Sequence, residues 1–217
     1  MPRSVIFDFD YTLADSSTGV IECVNHALRG LSLPTPSEDA IRHTIGMSLP
    51  RTLVALTGED HADRAGEFQR LFMERADEVI HDATRLFEFV PSLLDSLCRH
   101  GITPGIVSTK FRRRIEAVLQ RDNLTGRFEV IVGGEDVEAL KPDPTGLLRA
   151  AADLDGNVER CLYVGDSVTD GETAQRAGVP FAAVLSGVTE RNALAQFEPV
   201  MILNCAGDLP GALGLSP

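Results

Sequence analysis

Two aspartates one residue apart close an apolar run: Ser4-Val5-Ile6-Phe7 leads into Asp8-Phe9-Asp10-Tyr11-Thr12. In a strand, residues i and i+2 point to the same side. Two such carboxylates repel by roughly 4 kcal/mol at about 4 Å in a half-screened protein environment. A cation therefore belongs between Asp8 and Asp10. The carboxyl end of a parallel strand is also where α/β proteins bind ligands, so the pair reads as a site rather than as core. Three further segments carry polar residues at a strand end or a helix start. They are Ser108-Thr109-Lys110, Leu140-Lys141-Pro142 and Gly165-Asp166-Ser167-Val168-Thr169-Asp170. The only lysines of the chain, Lys110 and Lys141, lie inside these segments, while the other 18 of its 20 basic residues are arginine. Arginine-rich codon usage would produce the same scarcity, but the placement of the two lysines leads us to expect both at the ligand site.

The elements that must hold these residues follow from periodicity. Residues 4–7 read as a buried strand. From Asp15 to about Arg85 the pattern is helical, with no strand. Val20, Val24, Ala27, Leu28 and Leu31 fall at helix spacing behind an Asp15-Ser16-Ser17 cap. Ser37 caps the next helix, Gly46 and Gly58 punctuate, and residues 61–81 form one long amphipathic helix with Phe68, Leu71, Phe72, Ala76 and Val79 on one side. Strand and helix then alternate. Strands are expected at 104–107, 128–132, 161–164, 181–185 and 200–203, with helices around Leu93–Leu97, Ile115–Leu119, Leu147–Leu154 and Ala174–Ala177. Such alternation predicts a parallel sheet covered on both faces. The helical block interrupts it and reads as an inserted unit, residues 15–85, with linkers near 13–17 and 84–89. The core domain is then 1–14 and 86–217. The Gly/Pro-rich tail from Gly207 is expected to fray.

Bulk properties narrow the function. A 217-residue chain with 43% hydrophobic and 24% charged residues can bury a substantial core. Its net charge of -12, from 32 acidic and 20 basic residues, argues against broad contact with nucleic acid or an anionic membrane. An anionic substrate then needs local positive charge. Cys23, Cys98, Cys161 and Cys205 are widely spaced with no Cys-x-x-Cys pair, and read as reduced thiols of a cytoplasmic protein. The five histidines are scattered, which disfavours a histidine metal site. A strand starting near residue 4 leaves no room for a signal peptide, and no apolar run is long enough to span a bilayer.

Taken together, the four segments resemble the haloacid dehalogenase (HAD) superfamily of phosphatases, in the subgroup with a helical cap inserted after the first motif. The resemblance covers nearly the whole chain. Asp15-Ser16 after Leu13, Gly46-Met47-Ser48 and Ile106-Val107-Ser108-Thr109-Lys110 look most like the phosphoglycolate phosphatase and pyrophosphatase group. The resemblance implies a Rossmann-like (HAD-like) α/β fold plus an all-helical cap, and it implies roles. Asp8 would be the nucleophile that forms an aspartyl-phosphate. Asp10 would protonate the leaving oxygen and later take a proton from water. Mg²⁺ would be held by the Asp8 carboxylate, the Asp10 backbone carbonyl and the Asp166 carboxylate. Asp170 would support that set from behind, or simply cap a helix, and the two are compatible. Ser108 would offer a hydroxyl to a phosphoryl oxygen, and Lys141 a fixed charge. Backbone N–H groups near Phe9 and Thr109 would complete the cradle. Lys110 has the least defined role, with Thr109 and Lys110 counted among the substrate-binding residues. In the cap, Ser48, Arg42 and Arg51 are substrate-contact candidates, with plain surface charge the competing reading. Arg112-Arg113-Arg114 reads as a solvated helix face. By resemblance, Lys141-Pro142 is expected to be cis.

Departures from relatives discriminate among reactions. Hydrolytic dehalogenases lack the second acid, which Asp10 supplies here. Phosphonoacetaldehyde hydrolases need a cap lysine, and residues 15–85 contain none. β-Phosphoglucomutases carry an arginine where this chain has Leu49. Close phosphatase relatives have Pro-Gly where this chain has Pro91-Ser92. The expectation is a phosphatase acting on a small phosphorylated metabolite, phosphoglycolate first and pyrophosphate next, as a monomer or homodimer. A sugar-phosphate mutase or phosphotransferase on the same site is the alternative. A phospho-acceptor signalling module is a third reading, but it would place its acid pair and its phosphorylated aspartate on different strands, and the helical insert is foreign to it.

Overall fold

The computed structural model describes residues 1–154 and 156–215. In chain order the elements are β1 (Ser4–Phe7), β2 (Ala14–Asp15), α1 (Ser17–Gly30), α2 (Glu38–Arg42), α3 (Leu49–Thr57), α4 (Ala65–Ala83), β3 (Arg85–Leu86), α5 (Val90–Arg99) and β4 (Thr103–Val107). Then follow α6 (Arg112–Arg121), β5 (Val130–Val132), α7 (Thr145–Leu154), β6 (Cys161–Gly165), α8 (Val168–Ala177), β7 (Phe181–Val184), α9 (Arg191–Ala195), β8 (Met201–Leu203) and α10 (Leu209–Ala212). The chain divides into two compact units, Met1–Ala14 with Leu86–Pro217, and Asp15–Arg85.

In the first unit the described strands form a six-stranded sheet in the order β5-β4-β1-β6-β7-β8. Among the described residues its neighbouring strands pair in parallel; Ser4 of β1 lies opposite Thr103 on one side and Cys161 on the other. The chain runs outward from β1 to β4 and β5, then returns to β6 and runs the other way. That reversal beside β1 is the switch point at which open parallel sheets bind ligands beyond their carboxyl ends. All four β1 residues are buried, because helices cover both faces. Val5, Phe7, Leu162 and Val164 join one cluster with Leu93, Leu97, Ile115 and Val118. Ile6 and Tyr163 join the other with Leu147, Ala150 and Ala174. This alternation is the strand period of two, and the doubly covered parallel sheet is the α/β architecture expected from the sequence.

The helical unit is built on α1 and α4. Val24, Ala27, Leu28 and Leu31 bury against Phe68, Phe72, Ala76 and Ile80, with Ile41 and Leu53 joining them. A methyl on Gly30 would lie 2.7 Å from a Leu71 methyl, so glycine there permits the close approach of the two helices. Arg75 Nε donates to Glu22 across the pair at 2.9 Å. Ser37 caps α2 by accepting from the Ala40 amide, and Asp15 accepts from the Ser17 amide at 2.8 Å.

Three expectations need correction. Residues 59–64 form a 3₁₀ segment rather than part of the long helix, and none of the six is buried; without an apolar face there is little to hold them α-helical. The two-residue strands β2 and β3 pair with one another, whereas the sequence pattern predicts no strand within residues 15–85. The tail from Gly207 forms a 3₁₀ turn and α10, with Leu209 and Ala206 buried in the core; its last two residues lie outside those described. Among the described residues no helix is long and apolar enough to cross a membrane.

Candidate active site

β1 delivers the first acid. Its even-numbered positions face the Ile6 and Tyr163 side, and Asp8 follows at the end of the strand, anchored by its amide to the Val164 carbonyl at 2.9 Å. Tyr11 then adopts the left-handed conformation, φ 59°, and its amide donates to the Ala14 carbonyl. This tight return carries Asp10 and Thr12. Asp8, Asp10 and Thr12 are all buried.

β6 delivers the second group of acids. Asp166 follows Gly165, and Ser167 caps α8 in a reciprocal box with Asp170. A methyl on Gly165 would lie 2.6 Å from Asp170 Cβ, so the glycine lets the Asp170 side chain fold back over the strand end. Asp170 stands at the third helical position of α8, with Ser167 rather than Asp170 as the N-cap. Its Oδ2 accepts from the Ser167 amide at 3.1 Å. Its Oδ1 accepts from Lys141 Nζ at 2.6 Å and from the Tyr163 hydroxyl at 2.8 Å.

Carboxylate oxygens of Asp8, Asp166 and Asp170 lie within 4.8 Å of one another, and all three residues are buried. Lys141 is their ammonium counterpart. Its Nζ stands 2.9 Å from Asp8 Oδ1 and donates to the Tyr163 oxygen at 3.1 Å. The turn that presents Lys141 contains the cis Lys141-Pro142 bond and is closed by the Asp143 amide on the Leu140 carbonyl. Asp10 is served separately by Lys110, whose Nζ reaches both carboxylate oxygens at 2.9 and 3.1 Å and sits 5.9 Å from the Phe9 ring centroid. Both lysines thus meet acids of the first motif, Lys110 at Asp10 across 100 residues and Lys141 at Asp8, while Lys141 also meets Asp170, 29 residues further on.

Ser108 follows β4, buried, with its amide on the Val132 carbonyl; its Oγ accepts from the Lys110 amide at 3.3 Å. Gly133 and Gly134 set the course of this loop. A methyl on Gly133 would overlap the Arg112 amide, and one on Gly134 would lie 2.5 Å from the Thr109 carbonyl. Glu135 accepts from the Arg112 and Arg113 amides and so occupies the N-terminus of α6. Arg112 pairs with Asp136 at 3.0 Å, and Arg114 is buried rather than solvated. On the helical unit, Arg42 ends α2 beside Glu38 at 3.7 Å, Ser48 is the residue before α3, and Arg51 is exposed.

Crowding of buried acids shifts their titration. Burial pushes the Asp8 carboxyl up to about 6; Lys141 opposes this, while Asp170 and Asp10 reinforce it. Burial and then the charges of Asp170 and Asp8 push Asp166 well above the usual carboxylate range. Burial lowers Lys141, but Asp170 and Asp8 outweigh it and hold the ammonium above its ordinary range. Burial and the facing acids raise Tyr163, so its hydroxyl keeps its proton and donates it to Asp170.

This donor set suits a hard divalent cation. It consists of oxygens, and Asp8 is buried with the Lys141 ammonium 2.9 Å from its Oδ1 as counter-charge. Four carboxylates against two ammonium groups leave an excess of about two negative charges when all are ionised, and a divalent ion would cancel that excess.

Four contributors were not singled out from the sequence. Tyr163 bridges Lys141 and Asp170; a tyrosine inside an otherwise apolar buried strand is a signal for it, because its hydroxyl needs a partner. Thr12 donates to Asp166 Oδ1 at 3.2 Å. Ser186 Oγ donates to the Tyr11 carbonyl at 2.6 Å, and Gly187 lies against Asp166. Thr12 closes the first acidic segment, but no local pattern marks Ser186 or Gly187.

Known proteins share this arrangement of sequence and fold. Residues 5–184 match the family described as haloacid dehalogenase-like hydrolase. The chain is 32% identical over 234 residues to a phosphoglycolate phosphatase of Salmonella paratyphi A, covering 98% of this chain and 93% of that one. It is 31% identical to the phosphoglycolate phosphatase of Escherichia coli K12 at the same coverage. A solved structure from Bacteroides fragilis, assigned to the haloacid dehalogenase-like hydrolases, superimposes with a TM-score of 0.92 at 38% identity, covering 96% of this chain and all of that one. A hydrolase from Pseudomonas syringae, at 24% identity and a TM-score of 0.84 over 98% of both chains, shares the fold.

Proposed function

The chain belongs to the haloacid dehalogenase-like hydrolase family, and from that premise we propose that it is a Mg²⁺-dependent phosphatase of small phosphorylated metabolites, phosphoglycolate-like, working through an aspartyl-phosphate on Asp8. The observation that carries this reading is the buried cluster in which Asp8, with the Lys141 ammonium 2.9 Å from its Oδ1, brings its carboxylate within 4.8 Å of those of Asp166 and Asp170.

Asp8 attacks phosphorus, and the bond to the substrate oxygen breaks as the Asp8–phosphorus bond forms. Asp10 gives that oxygen a proton. It then takes one from the water that attacks the acyl-phosphate, restoring free Asp8 and releasing phosphate. Lys141 stabilises charge on the transferring group, and Tyr163 and Asp170 keep its ammonium in place. Ser108 hydrogen-bonds a phosphoryl oxygen, as do backbone N–H groups near Phe9 and Thr109. The Asp8 and Asp166 carboxylates, with the Asp10 backbone carbonyl, would hold Mg²⁺. The ion supplies the positive charge that lets a phosphate dianion approach a cluster of carboxylates. The helical unit Asp15–Arg85 acts as the cap that selects the leaving part of the substrate, with Arg42 and Ser48 as contacts. Similarity to phosphoglycolate phosphatases over nearly the whole chain supports phosphoglycolate as the first substrate to try.

Phosphate release from 2-phosphoglycolate, pyrophosphate and p-nitrophenyl phosphate, with Mg²⁺ and with EDTA, tests the proposal. Turnover is expected only with the metal and is lost in Asp8→Asn. Wild-type turnover by that variant would end the nucleophile assignment, and an isomerised sugar phosphate without free phosphate would convert the reading to a mutase.

A further inference from the structure

Ser186 and Gly187 follow β7 and have no part in the chemistry above, yet they touch it at two points. The Ser186 hydroxyl donates to the Tyr11 carbonyl at 2.6 Å, tying this loop to the return that carries Asp10 and Thr12. A methyl built on Gly187 would overlap Asp166 Oδ2 and lie 2.7 Å from Asp166 Cγ. Gly187 is not among the glycines with positive φ, so an alanine there suffers no backbone strain. The three nearest atoms all belong to the Asp166 side chain.

Asp166 is therefore confined from two sides. The Thr12 hydroxyl holds Oδ1 at 3.2 Å, and the bare backbone of Gly187 walls in Oδ2.

We infer that Gly187 is a positioning residue for the cation site, its missing side chain leaving the space that the Asp166 carboxylate needs to stand beside Asp8, with Ser186 locking the loop in register. The inference rests on the reading of this cluster as the metal site of a phosphatase. A methyl at 187 forces Asp166 to turn away from Asp8 or the loop to leave Tyr11, and either change takes apart the ligand pair.

Mn²⁺ binding without substrate, followed by the electron paramagnetic resonance of the free ion, tests this directly. Gly187→Ala is compared with wild type and with Gly211→Ala, a change at a glycine facing open space. Groups that orient metal ligands typically contribute a factor of about 10–100 in affinity, so Gly187→Ala is expected to bind that much more weakly while Gly211→Ala binds as wild type. Melting in EDTA should be nearly unchanged in Gly187→Ala, since the defect lies in the site. Should Gly187→Ala fail to fold, Ser186→Ala takes its place, with weaker Mn²⁺ binding and an intact EDTA melt again expected. Equal affinity in a folded variant overturns the inference and leaves the phosphatase reading standing. Weak binding that merely tracks a collapsed EDTA melt also overturns it. A wild-type protein that binds no Mn²⁺ removes both.

Discussion

Replacing Asp8 by asparagine should make the metal-free protein more stable while abolishing its activity. Asparagine matches the shape of the protonated carboxyl but carries no charge to bury. In the folded protein, burial, opposed by Lys141 and reinforced by Asp170 and Asp10, lifts Asp8 from an ordinary 3.8 to about 6. That gap of about two units, at about 1.4 kcal/mol each, makes ionised Asp8 a liability of about 3 kcal/mol. The sign follows from proton binding: the folded protein holds this proton more tightly than the unfolded chain does. Wild-type stability therefore falls as pH rises from about 4 to about 6, and the full penalty persists above that window. Asp8→Asn escapes it. At about pH 7.5 in EDTA the variant should be more stable by up to about 3 kcal/mol, which in a chain of this size is roughly 6–12 °C in Tm. At about pH 4 the advantage should vanish, because both states of the wild type then hold the proton. Added Mg²⁺ should stabilise wild type more than the variant and narrow the gap. Thermal melts across this range, with EDTA and with Mg²⁺, measure all three effects. A variant less stable than wild type in EDTA at neutral pH, or a gain independent of pH, would refute the assignment of Asp8 as a buried, electrostatically opposed carboxylate.

Other substitutions probe the same network. Lys141→Met removes the ammonium shared by Asp8 and Asp170 and should cost about 3–5 kcal/mol near neutral pH together with all phosphatase activity, read by melting and phosphate release. Lys110→Met strips Asp10 of its two-pronged partner; a similar loss of about 3 kcal/mol is expected, with a fall in kcat, and an unaltered melt would show the pair to be inert. Tyr163→Phe keeps the ring in its core cluster but deletes the hydroxyl between Lys141 and Asp170. About 1–2 kcal/mol of stability should go, with kcat falling more than KM rises, because what is lost is the placement of Lys141 rather than substrate contact.

Much of this was legible along the chain because the relevant signals are local. A buried strand followed by acids, a hydroxyl residue before a helix, and lysines confined to two short segments are patterns within a few residues. The parallel sheet could be read from alternation alone, since each strand's apolar run and each helix's spacing is a property of its own segment. Failures came where local pattern is weak. The segment Glu59–Arg64 has charges at helix-compatible spacing but no apolar face, so helicity there depended on packing that the fold does not supply. Arg114, expected on a solvated face, is buried, its guanidinium 5.5 Å from the centroid of the Phe111 ring.

By itself the amino-acid sequence determined which groups are available for chemistry and that strand ends would present them. Only the tertiary structure decided who answers whom: Lys110 to Asp10, Lys141 to Asp8 and Asp170, Tyr163 between the last two, and Gly187 behind Asp166. The reason is physical. Coulomb interaction and steric exclusion act through space, over a few ångströms. Which residues come that close depends on the register of β1 between β4 and β6 and on the face to which each strand position points, and a single segment carries no record of either.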